Sequence, residues 1–119
     1  MGNKSAQYKL GIMYEYGFVN TDIERAIRYF ELAAAQGDPK SAYHLAMLYQ
    51  RPEYKNYRKA FEFARFAAEN GLMEGEFLYA IFLFYGRGCP ANEDKAYDYF
   101  RRAFGHGMYQ AKIYLDKYN

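Results

Sequence analysis

The sequence predicts an all-α fold, an α-solenoid of about three helical hairpins with a closing C-terminal helix. Three observations predict it. An alanine is followed at fixed spacing by an aromatic residue, further alanine and a glycine: Ala26, Tyr29, Ala33, Ala34 and Gly37, then Ala60, Phe63, Ala67, Ala68 and Gly71, then Ala96, Tyr99, Ala103 and Gly107. Each glycine lies 11 residues after its leading alanine, and the copies recur after 34 and then 36 residues, a period that belongs to helical repeats. A second helical stretch precedes each copy, and these stretches also align: Ala6, Tyr8, Leu10, Gly11 and Tyr14 with Ser41, Tyr43, Leu45, Ala46 and Tyr49, and with Gly75, Phe77, Tyr79, Ala80 and Leu83.

The units run over residues 4–37, 38–71 and 72–107 of a single domain spanning 1–119, with the closing helix at 108–119 starting from Ala111, Ile113 and Leu115. Their punctuation is helical. Asp22, Asn56 and Asn92 each stand four residues before the leading alanine, where a short polar side chain accepts from the free N–H groups of a helix start. Thr21 with Glu24 has the spacing of a capping box, and Asp38 before Pro39 reads as N-cap and first helical residue. Gly37, Gly71 and Gly107 fit the position just past a helix end, where a left-handed backbone suits glycine. The alanines Ala33, Ala67 and Ala103, with Gly11, Ala46 and Ala80 on the partner helices, are expected where two backbones approach closely. Loop lengths vary, through Pro52 in the second unit and through Gly86, Gly88 and Pro90 in the third.

Composition bounds the function. A chain of 119 residues with 51% apolar content is long enough for one core. Sixteen basic and 14 acidic side chains leave a formal charge of +2, too little to predict a nucleic-acid or membrane partner. No segment approaches the ~20 apolar residues of a membrane span, and the N-terminus lacks the hydrophobic run of a secretion signal. The expected compartment is the cytoplasm, with the periplasm or exterior as the alternative where a leader has been removed. Cys89 is alone, so no internal disulfide forms, and beside Pro90 it reads as a packing or loop residue. His44 and His106 have no metal-spaced neighbours, no Ser-His-Asp order or phosphate-cradling loop is present, and no cofactor is implied. The basic doublets Arg58–Lys59 and Arg101–Arg102 fall on second helices, as solvated surface.

These residues resemble the Sel1-like repeat family, relatives of tetratricopeptide repeats. Its units pair a leucine-glycine-x-x-tyrosine first helix, here Leu10, Gly11 and Tyr14, with an alanine-rich second helix ending in glycine. The third unit also carries Gly86-Arg87-Gly88-Cys89-Pro90, similar to the family's glycine-x-glycine-valine-proline connection with cysteine for valine. The loop is shortened to Gly17-Phe18-Val19 in the first unit and replaced by Arg51-Pro52-Glu53-Tyr54 in the second. The resemblance implies a right-handed superhelix that serves as an adaptor or scaffold for protein partners, with no reaction. The paired cysteines that staple hairpins in some bacterial relatives are missing.

A wheel at 100° per residue puts Ala6, Leu10, Met13 and Tyr14 on one face of the first helix and Ser5, Tyr8, Ile12 and Glu15 on the other. First helices line the concave wall of such solenoids, so the second face predicts a groove. Its residues are Tyr8, Ile12 and Glu15, then Lys40, Tyr43, Met47 and Gln50, then Glu74, Phe77, Ile81 and Phe84, extended by Gln110 and Ile113. Tyr8, Tyr43 and Phe77 share one phase, which stacking between repeats explains as well as binding does. Met47, Ile81 and Phe84 break the repeat and read as ligand contacts; Glu15, Lys40, Gln50 and Glu74 read as polar edges. His44 lies, on the same wheel, away from the groove. The function expected is a non-enzymatic interaction module that binds a peptide or protein segment in the groove. The alternatives are a stoichiometric inhibitor or immunity protein that blocks a toxin or enzyme, and, less favoured, an RNA-binding solenoid in which tyrosines stack bases.

Overall fold

Six helices of the structure, a computed structural model describing residues 2–17 and 22–118, form three antiparallel hairpins stacked in chain order. They are α1 (Lys4–Tyr16) with α2 (Ile23–Ala35), α3 (Pro39–Leu48) with α4 (Tyr57–Glu69), and α5 (Met73–Tyr85) with α6 (Glu93–Gly105). The array measures 48 × 27 × 24 Å, the elongated shape of a solenoid. The expected closing helix is reduced to a 3-10 turn at Tyr109–Ala111 and the single-turn α7 (Lys112–Leu115). Its rings flatten onto α6 instead, Tyr114 on Phe100 at 4.4 Å and Tyr118 on Tyr97 at 3.8 Å between centroids.

Local chemistry sets the helix ends. The side chains of Asp22, Asn56 and Asn92 accept from the amides of Arg25, Lys59 and Lys95 at 3.0, 3.1 and 3.1 Å. Thr21 of the expected capping box lies outside the described residues, as do Phe18 and Val19. Asp38 is an N-cap in position but not in bonding, because its carboxylate accepts from Ser41 Oγ at 2.6 Å and makes no bond to a backbone amide. At the other ends Gly37, Gly71 and Gly107 take φ of 92°, 84° and 111°. The next amides, of Asp38, Leu72 and Met108, then donate back to the carbonyls of Ala33, Ala67 and Ala103 at 3.1, 3.1 and 2.8 Å. The loops of unequal length close on one further repeated bond: the amides of Asp22, Asn56 and Asn92 donate to the carbonyls of Tyr14, Tyr49 and Leu83 at 2.9, 2.8 and 2.8 Å.

The alanines are at the crossings as expected, with Ala26, Ala33, Ala60, Ala67, Ala96 and Ala103 all fully buried. A Cβ on Gly75 would lie 2.5 Å from Ala67 Cβ, so α4 and α5 also approach closely at a glycine, and a Cβ on Gly11 would strike the Phe30 ring at 2.6 Å. The faces of α1 differ from the wheel: Ala6 and Met13 are exposed, and the buried stripe is Gln7, Gly11 and Glu15. Gly11 explains it, since the stripe that meets α2 is the one without a bulky side chain at its centre. Two polar anchors cross between helices, Gln36 Nε2 donating to Gln7 Oε1, and His106 Nδ1 lying 2.7 Å from Glu76 Oε1. Gln36 and His106 are the C-caps of α2 and α6, so each anchor ties a first helix to the end of its own second helix.

Candidate functional site

The first helices lie side by side, α3 touching both α1 and α5, and this places their outer faces in one surface. Two clefts run along it. One, of about 440 Å³, is lined by Glu15 and Tyr16 from α1, Tyr43, His44, Met47 and Leu48 from α3, and Gln50 and Arg51 beyond it. The other, of about 200 Å³, is lined by Tyr8, Lys40, Tyr43, His44, Leu72 and Glu74. Tyr43 and His44 belong to both, so the clefts are two halves of a groove divided by a pair of rings 5.7 Å apart.

Seven of the residues expected in the groove line these clefts: Tyr8, Glu15, Lys40, Tyr43, Met47, Gln50 and Glu74. Ile12, Phe77, Ile81 and Phe84 line neither; they are half-buried against the core. Phe77 and Phe84 lie 6.2 and 5.4 Å from the Tyr114 ring, and Phe84 also meets Tyr97 and Phe100. The C-terminal segment thus covers the part of the first-helix face that unit three would otherwise present. Ile113 remains exposed at 63%, on the outside of that segment.

His44 corrects the wheel, which placed it away from the groove. Its ring stacks on Phe30 of the preceding hairpin at 4.9 Å and 13°, and this directs it to α1. There Nδ1 lies 3.0 Å from Glu15 Oε1 and Nε2 lies 3.4 Å from Tyr8 Oη. Glu15 in consequence is not a solvated edge: it is 8% exposed, and its carboxylate is held by the imidazole. The Tyr8–His44–Glu15 chain ties the first two units together across the groove floor and fixes two of its walls.

Burial raises the Tyr43 phenol above its ordinary value, with Glu74 adding to the effect, and burial followed by Asp38 raises that of Tyr8. Both stay neutral donors at physiological pH. Met47 is 43% exposed between them and Gln50, whose amide donates toward its sulfur at 3.9 Å. Arg87 Nη1 donates to Gln50 Oε1 at 3.2 Å, fixing the far end of the wall. The groove therefore offers ring faces, one exposed thioether and a rim of both signs. Cys89 lies apart, half-buried, with its thiol donating toward the Phe82 carbonyl at 3.6 Å and its pKa raised by burial, as a packing residue. Among the described residues no group of three or more His, Cys, Asp or Glu could hold a metal ion, and no helix is long and apolar enough to cross a membrane.

Known proteins share this architecture. The Sel1 repeat profile matches residues 4–38, 39–72 and 74–107. The chitin synthase regulator SKT5 of Malassezia restricta is 30% identical over 98% of this chain and 8% of its own length. The protein of the same name in Saccharomyces cerevisiae is 29% identical over 89% of this chain and 16% of its own. Among solved structures, a Sel1 repeat protein from Oxalobacter formigenes superposes with a TM-score of 0.87 at 30% identity, over 92% of this chain and 46% of that one. The chain thus spans less than half the length of each of these proteins.

Proposed function

Because the chain belongs to the Sel1 repeat family, we propose that it works by holding a protein segment in the groove of its first helices and carries out no reaction. One observation carries this reading: two clefts that share Tyr43 and His44 lie along the first-helix surface, one of them with an exposed thioether in it. A bound segment would set an aliphatic or aromatic anchor against Tyr43 and Met47. Polar flanks would meet Arg51 at one end and Lys40 and Glu74 at the other. The name of the SKT5 relatives supports a role exerted by contact, since a regulator acts on another protein.

Affinity capture from the native host supplies the partner, and its Kd for Tyr43→Ala and Met47→Ala supplies the test. Truncating a hot-spot side chain costs about 2 kcal/mol, roughly 30-fold in affinity. A partner that binds both variants as tightly as the wild type would remove the groove from the account.

A further inference from the structure

We propose that the segment held in the first-helix groove carries a run of acidic side chains, and that this run lies at the Arg51 end. This rests on the groove being the binding face, and it adds the partner's charge and direction. The groove follows α3 from Lys40 to Arg51, and its two ends differ in charge. Lys40 and Glu74 line one cleft at the start of α3, one charge of each sign.

The other end carries three cations from two successive loops. Arg51 lines the cleft there, Lys55 follows in the loop between α3 and α4, and Arg87 reaches back from the loop between α5 and α6. All three are exposed, and among the described residues none is in an ion pair. The acids nearby do not offset them. Glu53, in the same loop as Arg51 and Lys55, is exposed and paired with neither. Glu15, the acid lining the cleft, is 8% exposed and holds His44.

These cations are positioned by neutral groups. Arg87 Nη1 donates to Gln50 Oε1 at 3.2 Å, and Gln50 is itself fixed by its amide, which donates to the Ala46 carbonyl at 3.2 Å. The Arg87 guanidinium lies over the Tyr57 ring at 5.4 Å, and Lys55 Nζ lies over the same ring at 5.7 Å. Next to Arg87, Gly88 takes φ of 73° against the Tyr57 carbonyl, where a Cβ would not fit, which seats the loop directly on the start of α4. A ring attracts a cation without cancelling its charge, so the field at this end stays positive. A guanidinium held by one nitrogen keeps other N–H groups for a carboxylate. Three cations spread over two loops match several side-chain carboxylates, not a single terminal one.

The probe is a displayed library of random peptides of about 10 residues, which when extended reach past both ends of α3, selected on the whole chain at physiological ionic strength. The selected peptides are then synthesised without lysine and with both ends blocked. The expected peptides carry two or more Asp or Glu to one side of an aliphatic or aromatic residue. Their binding should weaken at least 10-fold in Arg51→Gln/Arg87→Gln and in Arg51→Glu/Lys55→Glu, the second pair changing only exposed side chains. Carbodiimide should couple the bound peptide's carboxylates to Lys55 and not to Lys40. Peptides without an acidic excess, equal binding by either double variant, coupling to Lys40 alone, or binding that needs a free peptide C-terminus each overturn the proposal. The groove reading fails separately, through selected peptides that bind Tyr43→Ala and Met47→Ala as tightly as the wild type. A selection that yields no binder overturns both.

Discussion

Changing Gly75 and Gly105 to alanine should move stability in opposite directions, although both glycines are helical. A glycine inside a helix costs about 1 kcal/mol relative to alanine. At Gly105 an added Cβ has nothing within 4 Å, so Gly105→Ala should gain about 0.5–1 kcal/mol. At Gly75 the Cβ would lie 2.5 Å from Ala67 Cβ, 2.9 Å from the Ala67 carbonyl carbon and 3.0 Å from the Ala68 amide nitrogen. None of these is the end of a flexible side chain, so α4 and α5 must part, and overpacking costs about 1–3 kcal/mol. With backbone in the way the upper figure applies, and the helical gain reduces it to a net loss of about 2 kcal/mol. At about 2.1 cal/mol/K per residue the unfolding entropy is about 0.25 kcal/mol/K, which makes the loss about 8 °C in Tm and the Gly105→Ala gain about 2–4 °C. Calorimetry of both variants beside the wild type reads the two signs directly. A Gly75→Ala protein that melts at or above the wild type refutes the close crossing of α4 and α5.

The caps give a graded series: Asn56→Ala and Asn92→Ala should each lose about 1 kcal/mol in urea denaturation. Asp38→Ala should lose less, because the Asp38 side chain bonds Ser41 and no backbone amide; equal losses would contradict the bonding described. The Tyr114 phenol, raised to about 12 by the hydrogen bond with Tyr85 and then by burial, should titrate late in ¹³Cζ-tyrosine NMR and fall toward 10 in Tyr85→Phe. Since the folded pKa is the higher one, the contribution to stability is complete below pH ~10 and is lost between ~10 and ~12. A Tyr114 that titrates at about 10 in the wild type would show that this contact is not made in solution.

The hairpin ends could be read in the sequence because their causes lie within a few residues. Asn56 caps an amide three residues on, and Gly71 needs only its own φ. The first-helix faces could not be read as fully. A wheel assigns α1 two faces, but the tilt at which α1 crosses Phe30 decides that Gln7, Gly11 and Glu15 go inward, and that tilt comes from long-range packing. The same holds for His44, whose partners Glu15 and Tyr8 are 29 and 36 residues away and whose direction is set by the Phe30 ring. Phe84 breaks the pattern for a reason visible only once Tyr114 is placed beside it.

The claim that the first helices form the binding face is tested most directly by photo-crosslinking from single positions in the presence of the captured partner. A photoreactive amino acid at Met47 samples the groove, and one at Arg65 samples the outer cleft between α2 and α4. A partner crosslink is expected from position 47 and none from 65. A partner that crosslinks from 65 and not from 47 would contradict it.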